Sequence, residues 1–499
     1  MDREFIGMKS SKKSRKKFTA VLYKPFKPSE SPCFELFDSS TFRLPATFLL
    51  KGQLPRDPQS QAARLANQFI RQNQGVLSNV GISSGLDYDG NSVNIIINSG
   101  TRIGAIPLLS PTTGKPDYGV IIKPRFGWSG VGSILNRMGW KILPSPLKLP
   151  LLPRSDRKIP PWVLSSTVLY RIKELLDIME RRFEYTESDL KAPRGSVKWS
   201  RYVTSCITAA RFLDVPCRYP DLRDDRELKA AIHFTLRKQL ASLETQRSAG
   251  AFVLSLINFC QTLIEQVNSI GPRQPSPITM NTWYTGSFRS NIFRDGLQAM
   301  EWTIDDRGLA GLGDLQGLPW IMSMEEFFEA WVETITGALS RRIGGVIRVG
   351  RKRETISPLV WNPPYSGTQK YLMPDLILER FSAQDNEKET IIFDAKYKGH
   401  WEDLNFEQWG RLDEDLRERH RADLLQVLAY STIFETKKIT SCLIYPCKKK
   451  NWERMKARNE LYHRASLNAG RRNVSLVLTA VPIEADFEEI VQILAMAVV

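Results

Sequence analysis

The sequence predicts an α+β protein of several domains, because the spacing of its apolar residues changes twice along the chain. At 499 residues the chain exceeds the usual size of one core, and 42% apolar with 25% charged residues is typical of folded proteins. In the first third of the chain, apolar runs are short and separated by turn residues. In the middle third they are spaced as in helices, and in the last third both patterns occur. We therefore expect an N-terminal β-rich domain, a helical middle region and a C-terminal α/β domain.

The first third combines a basic arm with strand-like segments. Residues 1–17 are mostly basic and could touch a phosphate backbone or be a solvated tail. Apolar runs at 92–97 and 118–122 are separated by turn residues, which predicts a β-rich domain at 18–142. Six prolines at 143–161 prevent a regular helix, so we expect a linker there.

Helical and mixed segments follow the predicted linker. Apolar spacing at 162–320 predicts a helical region, with helices at 226–243 and 249–267. The segment 321–499 is predicted to be α/β with a mixed central sheet. Its expected strands lie at 371–378, 390–395, 439–445 and 474–481, and its expected helix lies at about 417–434.

The charge balance favours a polyanionic partner. Lys and Arg number 70 against 54 Asp and Glu, a formal charge of +16 at pH 7. Neutralising phosphates releases counterions, so nucleic acid suits this excess, although an anionic membrane or general solubility would suit it too. The sequence has neither a secretory signal nor an apolar run long enough to span a bilayer comfortably, and we expect a soluble, cytoplasmic protein.

Cysteine and histidine do not have the spacing of a metal centre. The six cysteines contain no CxxC pair, and the four histidines contain no two-ligand spacing. Reduced thiols are therefore expected. His420 precedes a candidate catalytic helix and could approach a phosphate, or it could be an ordinary surface residue.

Two predicted strands of the C-terminal domain carry carboxylates that can converge. Asp375 opens one strand and Asp394 lies near the end of the next, with a loose hairpin connection between them. Oxygen ligands of this kind hold Mg²⁺ or Mn²⁺, and such an ion neutralises a phosphodiester and lowers the pKa of a bound water. The backbone carbonyl of Ala395 can be a further ligand. In Asp394-Ala395-Lys396, strand alternation places Lys396 beside Asp394, where it can orient water or stabilise negative charge.

Two helices extend this candidate site. Gln426 and Tyr430 are four residues apart on one helix face, and Glu329 on an upstream amphipathic helix can reach the metal or its water. A DxK triplet alone is common, and a Glu on such a helix is often only solvent-exposed. The combination is more specific than its parts and favours metal-dependent hydrolysis of phosphodiesters.

Basic clusters flank the catalytic block and could line a nucleic-acid groove, although they could equally be solvated surface. The predicted contacts are Arg341, Arg342, Arg348, Arg351, Lys352 and Arg353 before the block, and Lys448, Lys449 and Lys450 after it. Trp452 and Tyr462 could stack on bases or pack inside the protein.

The order of these residues resembles the PD-(D/E)XK nuclease superfamily, and in particular the McrC-like nuclease subunits of modification-dependent restriction systems. Gly119–Gly127 is similar to that family's Pro-Lys-Ile-Gly strand, and Arg194–Val197 resembles its Arg-Gly-Arg-Ile/Leu element. Val215–Tyr219 also fits. Leu425 stands where the family often has Tyr, and Asp224–Glu227 replaces an Asp-x-x-x-Asn.

The resemblance implies a Mg²⁺-dependent DNA endonuclease of an antiphage restriction system, with a PD-(D/E)XK core at 321–499. It also implies a separate AAA+ GTPase motor, which would dock on residues 18–142. The sequence has no G-x-x-x-x-G-K-[ST] segment and therefore no P-loop for a nucleotide. The alternatives are a non-cutting DNA-binding adaptor or motor regulator, or an RNA, repair or transposition nuclease with the same core.

Overall fold

The computed structural model describes eleven stretches of the chain, which are residues 33–51, 55–90, 92–152, 159–179, 182–223, 225–285, 290–307, 317–382, 386–398, 414–469 and 472–499. The predicted basic arm at 1–17 and His400 lie outside them.

The strands in the described stretches are β1 (Cys33–Phe37), β2 (Thr41–Pro45), β3 (Ser83–Asp89), β4 (Ser92–Asn98), β5 (Arg102–Leu108), β6 (Tyr118–Lys123), β7 (Ser145–Pro146), β8 (Arg182–Leu190), β9 (Ser196–Val197), β10 (Val215–Arg223), β11 (Trp320–Ser323), β12 (Val346–Val349), β13 (Ser357–Pro358), β14 (Tyr371–Leu372), β15 (Leu376–Phe381), β16 (Lys388–Ala395), β17 (Lys438–Cys447), β18 (Tyr462–Ala469) and β19 (Arg472–Pro482).

The α-helices are α1 (Pro58–Asn79), α2 (Trp128–Arg137), α3 (Trp162–Asp177), α4 (Trp199–Arg201), α5 (Arg226–Glu244), α6 (Ala251–Val267), α7 (Pro277–Thr285), α8 (Asn291–Ile304), α9 (Met324–Ile343), α10 (Glu414–Ser431), α11 (Lys449–Ala457) and α12 (Phe487–Val498). None of these described helices is both long and apolar enough to cross a membrane.

The N-terminal region contains two sheets and one long helix. Strands β1, β6, β5, β11 and β7 form one sheet in that order, and β2, β4 and β3 form the other. The predicted strands at 92–97 and 118–122 are confirmed as β4 and β6. The prediction of a β-rich domain at 18–142 did not include the 22-residue helix α1. Its start is fixed by Pro58 in the first turn and by Asp57, whose side chain accepts from the Ser60 amide at 3.2 Å.

Residues 143–152 of the Pro-rich segment pair and pack against the rest of the fold. Ser145–Pro146 pairs with β11, and Leu152 is fully buried and bridges to Gly317. Strand β11 also pairs with β5, although it immediately precedes α9 of the C-terminal region. A fragment that begins near residue 161 would therefore leave β11 without its partner β5.

The helical middle region also contains a sheet that was not predicted. The helices at 226–243 and 249–267 are confirmed as α5 and α6. Strands β8, β10 and β9 form a three-stranded sheet over 182–223, where only helix was expected. The segment exposes large apolar side chains, which are Tyr185, Trp199, Val203, Ile207, Phe212 and Leu213.

The C-terminal region has the expected mixed central sheet, with strand order β12-β15-β16-β17-β19-β18. Strands β16, β17 and β19 are mutually parallel, and β15 is antiparallel to β16. Helix α10 lies between β16 and β17 in sequence, which is the crossover that parallel strands require. A connected cluster of buried apolar side chains extends from Phe34 to Val498, so the N- and C-terminal regions share one core.

Candidate active site

Asp375 and Asp394 lie opposite each other at the ends of neighbouring strands. The pairing of Leu376 with Phe393 places Asp375 and Asp394 one step further along the same two strands. The Ala395 amide donates to Oδ2 of Asp375 at 2.8 Å, which fixes this carboxylate against β16. The predicted convergence of the two carboxylates is therefore present in the fold.

Burial raises the pKa of both carboxyl groups, and the charges of neighbouring carboxylates add to each shift. Desolvation is the main cause of the raised pKa of Asp375, and the charges of Asp394 and Glu329 add to it. Desolvation also raises the pKa of Asp394, while the ammonium group of Lys396 opposes that shift. Buried carboxylates that repel one another are stabilised by a cation between them.

Lys396 connects Asp394 to the helix that carries the other predicted residues. Its Nζ lies 2.7 Å from Oδ2 of Asp394 and donates to Oε1 of Gln426 at 3.0 Å. The Gln426 amide donates in turn to the Tyr430 hydroxyl at 2.7 Å. This chain fixes the ammonium group beside the carboxylates, as the spacing of Gln426 and Tyr430 predicts.

Glu329 lies close enough to sense the two aspartates. Burial raises its pKa to about 7, and the charge of Asp394 contributes to this shift while Arg351 opposes it. Helix α9 positions it, because Ser323 caps the helix by accepting from the Glu326 amide at 3.3 Å. A carboxyl group with a pKa near 7 can accept or release a proton at neutral pH.

The carboxylates of the candidate site do not form a complete set of metal ligands among the described residues. Within the described stretches, no three His, Cys, Asp or Glu side chains are gathered closely enough to hold a metal ion, so Glu329 does not complete a ready-made set with the two aspartates. Both carboxylate oxygens of Asp394 are buried and accept no well-directed hydrogen bond, although Lys396 Nζ is near one of them. Such orphaned acceptors fit a hard cation.

A second polar group beside the site was missed by the sequence analysis. Lys398 Nζ lies 2.5 Å from Oδ1 of the buried Asp423, whose Oδ2 accepts from the Tyr445 hydroxyl at 3.3 Å. Asp423 raises the pKa of Asp394 and so acts on the site. The sequence could have indicated Asp423, since it lies three residues before Gln426 and therefore on the same side of the predicted helix.

Some of the remaining candidates are placed differently from the predictions. His420 is buried, with Nδ1 3.3 Å from the Tyr445 hydroxyl, so it does not offer a surface contact to a phosphate. Trp452 is also buried and is a packing residue. Arg348 and Arg351 form ion pairs with Glu379 and Glu333 at 3.3 and 3.4 Å. The other predicted nucleic-acid contacts are exposed, namely Arg341, Arg342, Lys352, Arg353, Lys448, Lys449 and Lys450.

A protein-family model described as "McrBC 5-methylcytosine restriction system component" matches residues 152–446, which is more than half of the chain. The chain belongs to this family. The match includes every residue of the candidate site from Glu329 to Tyr430. The resemblance to modification-dependent restriction systems is thereby confirmed at the family level.

Solved structures related to McrBC proteins also match the chain, at low similarity. One is a half-complex of Thermococcus gammatolerans McrB AAA+ hexamers with bound McrC, with 13% identity, a TM-score of 0.40, and coverage of 93% of this chain and 99% of the other. Another is the T. gammatolerans McrBC complex, with 12% identity, a TM-score of 0.25, and coverage of 62% and 88%. No curated protein sequence matches the chain.

The Arg194–Val197 and Val215–Tyr219 elements of this McrBC family member meet in the three-stranded sheet. Val197 of β9 pairs with Cys217 of β10, and the Arg194 guanidinium lies 4.4 Å from the Tyr219 ring centre. Gly195 has φ +70°, and a Cβ there would lie 2.5 Å from the Arg218 carbonyl oxygen. Only glycine suits that position.

A pH-dependent stability difference is expected for Glu329→Gln in EDTA. The raised pKa of about 7 means that the folded protein keeps this proton while the unfolded chain loses it near pH 4.5. The unfolded state then binds fewer protons, so wild-type stability falls as pH rises from about 4.5 to 7. Glutamine cannot ionise, so the variant should match wild type near pH 4.5 and melt at a higher temperature at pH 8.

The exposed Glu453→Gln in α11 is the matched control, for which the difference in thermal midpoint should not change between these pH values. A Glu329→Gln difference that is equally large at pH 4.5 and pH 8 would contradict the raised pKa.

Proposed function

We propose that this chain is the McrC-like subunit of a restriction system and cuts DNA as a Mg²⁺-dependent endonuclease with a PD-(D/E)XK core. The observation that carries the proposal is the group of Asp375, Asp394 and Lys396 at the ends of two paired strands, with Gln426 holding the lysine. Membership of the McrBC family supports it. An adaptor without nuclease activity would not require this arrangement of charges.

The residues present are suited to hold a divalent ion through Asp375 and Asp394, with the Ala395 carbonyl as a proposed further ligand. Such an ion would neutralise the scissile phosphate and lower the pKa of an attacking water. Mn²⁺ is expected to substitute for Mg²⁺, since carboxylate and carbonyl oxygens suit both.

The side chains around this site have separable tasks. Lys396 Nζ, oriented by Gln426 Oε1, would donate to a non-bridging phosphate oxygen and stabilise the charge that develops there. The Tyr430 hydroxyl holds the Gln426 amide and so fixes the direction of that oxygen. Glu329 Oε would take the proton of the attacking water, for which its pKa of about 7 is suited.

Cleavage assays with purified protein test the proposal. Duplex DNA should be cut in Mg²⁺ or Mn²⁺ and left intact in EDTA, while RNA should be cut much more slowly. Because the exposed basic residues of the clusters at 341–353 and 448–450 are proposed to neutralise phosphates, DNA affinity should fall at least about tenfold between 50 and 200 mM salt. Faster cleavage of RNA, or an affinity that does not change with salt, would contradict the substrate assignment.

The proposed partner is a separate AAA+ GTPase motor. McrB AAA+ hexamers with bound McrC are the assembly named for one of the matched structures. Residues 18–142 are one candidate docking region. The exposed apolar residues of the sheet at 182–223 are a second, since such patches mark protein contacts. Co-purification of a motor with surface variants of each region distinguishes the two.

A further inference from the structure

An exposed hairpin precedes Asp375 and has no role in the proposed chemistry. We name residues 354–372 the hairpin arm, in which β13 pairs with β14. Its loop exposes Val360, Trp361 and Tyr365, whose exposed fractions are 92%, 45% and 60%. Three large apolar side chains next to one another on a surface indicate contact with another molecule.

The apolar residues of the hairpin arm are held in place. The Leu359 amide donates to the Lys370 carbonyl at 2.8 Å, and the Trp361 indole N–H donates to the Gln369 carbonyl at 3.0 Å. The rings of Trp361 and Tyr365 meet edge to face, with centres 6.3 Å apart. The rings are thus pre-positioned, which lowers the entropy lost when a partner binds.

The hairpin arm is attached directly to the candidate catalytic strand. The Thr355 hydroxyl donates to the Pro374 carbonyl at 2.6 Å, and the Gly350 amide donates to the Asp375 carbonyl at 2.7 Å. A Cβ on Gly350 would lie 2.6 Å from the Pro374 oxygen, so this close approach requires glycine. The base of the hairpin arm therefore adjoins the backbone that positions Asp375.

The charge around the hairpin arm suits a polyanion. Lys352, Arg353 and Lys370 flank or lie within it, and Glu354 is the one acidic residue between 351 and 372. That carboxylate accepts from the Val349 amide at 2.8 Å. Aromatic faces beside basic side chains are the combination that binds unpaired nucleotides, with the rings on the bases and the cations on the phosphates.

We propose that the hairpin arm binds DNA beside the scissile phosphate, with Trp361 and Tyr365 stacked on bases and the flanking basic residues on the backbone. This rests on the proposed nuclease function and adds the surface that positions the substrate. Stacking needs exposed base faces, so the preferred ligand is a single strand or a locally opened duplex.

Photocrosslinking of the full-length protein in EDTA tests the contact. The probe is a single-stranded DNA that carries 5-bromodeoxyuridine, which crosslinks to adjacent aromatic side chains on irradiation. Trypsin releases Glu354–Lys370 as one peptide, because Arg353 and Lys370 are consecutive cleavage sites. Crosslinks should map to this peptide. Crosslinks that map only to other peptides would overturn the proposal.

Substitution of both rings gives a quantitative test. Trp361→Ala with Tyr365→Ala should lower affinity for labelled single-stranded DNA at least about tenfold, since stacking on each base contributes about fivefold or more and two rings are removed. It should lower affinity for intact duplex less. Tyr88→Ala is the matched control, because Tyr88 is also 63% exposed but lies on β3, and it should leave affinity unchanged.

The outcomes separate the two proposals. If wild type cuts DNA and the double variant binds as tightly as wild type, the role of the hairpin arm is wrong and the nuclease function stands. If the variant keeps its DNA affinity but no longer co-purifies with a motor, the hairpin arm binds protein. A wild-type chain that neither binds nor cuts DNA overturns both proposals.

Discussion

Asp394→Ala is expected to lower Mg²⁺-dependent cleavage by at least about a thousandfold, which corresponds to ~4 kcal/mol of activation free energy. The reason is local. The substitution removes a buried carboxylate that is proposed to hold the metal, and it leaves the β15–β16 pairing in place. Initial rates on duplex DNA with saturating Mg²⁺ measure the effect, and titration calorimetry with Mn²⁺ should show weakened metal binding in the same variant.

Two comparisons make the Asp394 result specific. Asp394→Asn keeps the shape of the side chain but not its charge, and its thermal midpoint in EDTA should equal or exceed that of wild type, since burial raises the pKa of Asp394 and disfavours its charged form despite the ion pair with Lys396. Asp177→Asn, at the exposed end of α3, should leave cleavage unchanged. Full cleavage by purified, metal-replete Asp394→Ala would overturn the catalytic assignment.

Tyr397→Ala is expected to lower the thermal midpoint by about 3–5 °C, because loss of a buried aromatic side chain costs about 3–5 kcal/mol and a chain of this length loses about 1 °C per kcal/mol. Tyr397 is 3% exposed and follows Lys396 directly, but it faces a different set of residues. Its ring lies 4.5 Å from the Arg125 guanidinium, and its hydroxyl donates to Oδ2 of Asp38 at 2.7 Å. The substitution also removes a donor from Asp38, whose pKa burial already raises.

The effects of Tyr397→Ala on stability and on cleavage can be measured separately. Well below its midpoint, the folded variant should retain most of the wild-type cleavage rate. Tyr397→Phe keeps the ring and should recover most of the lost stability, whereas the exposed Tyr88→Ala should cost less than about 1 °C. A variant that melts like wild type but no longer cuts DNA would show that Tyr397 takes part in the reaction.

The candidate site was predictable because its signals are local. β16 is an almost fully buried run of β-branched and aromatic residues, and such a run predicts a strand whatever surrounds it. Strand periodicity then places Asp394 and Lys396 on one face, and helix periodicity does the same for Gln426 and Tyr430. The ligand role of Glu329 stays a prediction, because its position depends on how α9 packs.

Several elements could not be read from local patterns. α1 buries two alanines and an asparagine beside Phe69 and Leu77, and the rest of the helix is largely polar, so its apolar face is weak in sequence. The prolines at 143–161 prevent a helix, but they do not exclude the short pairing of Ser145–Pro146 with β11. Proline content therefore argues against a regular helix but not against pairing with a strand distant in sequence.

The sequence by itself determined the mixed C-terminal sheet, the pairing of the two aspartate-bearing strands and the family, since all three follow from periodicity and motif order. Only the tertiary structure decided that Asp38 and Arg125 meet Tyr397 beside the site, and that β11 joins the N-terminal sheet to α9. The physical reason is sequence separation. Contacts between residues hundreds of positions apart leave no periodic trace, because they form only when distant elements bury their apolar faces in one shared core.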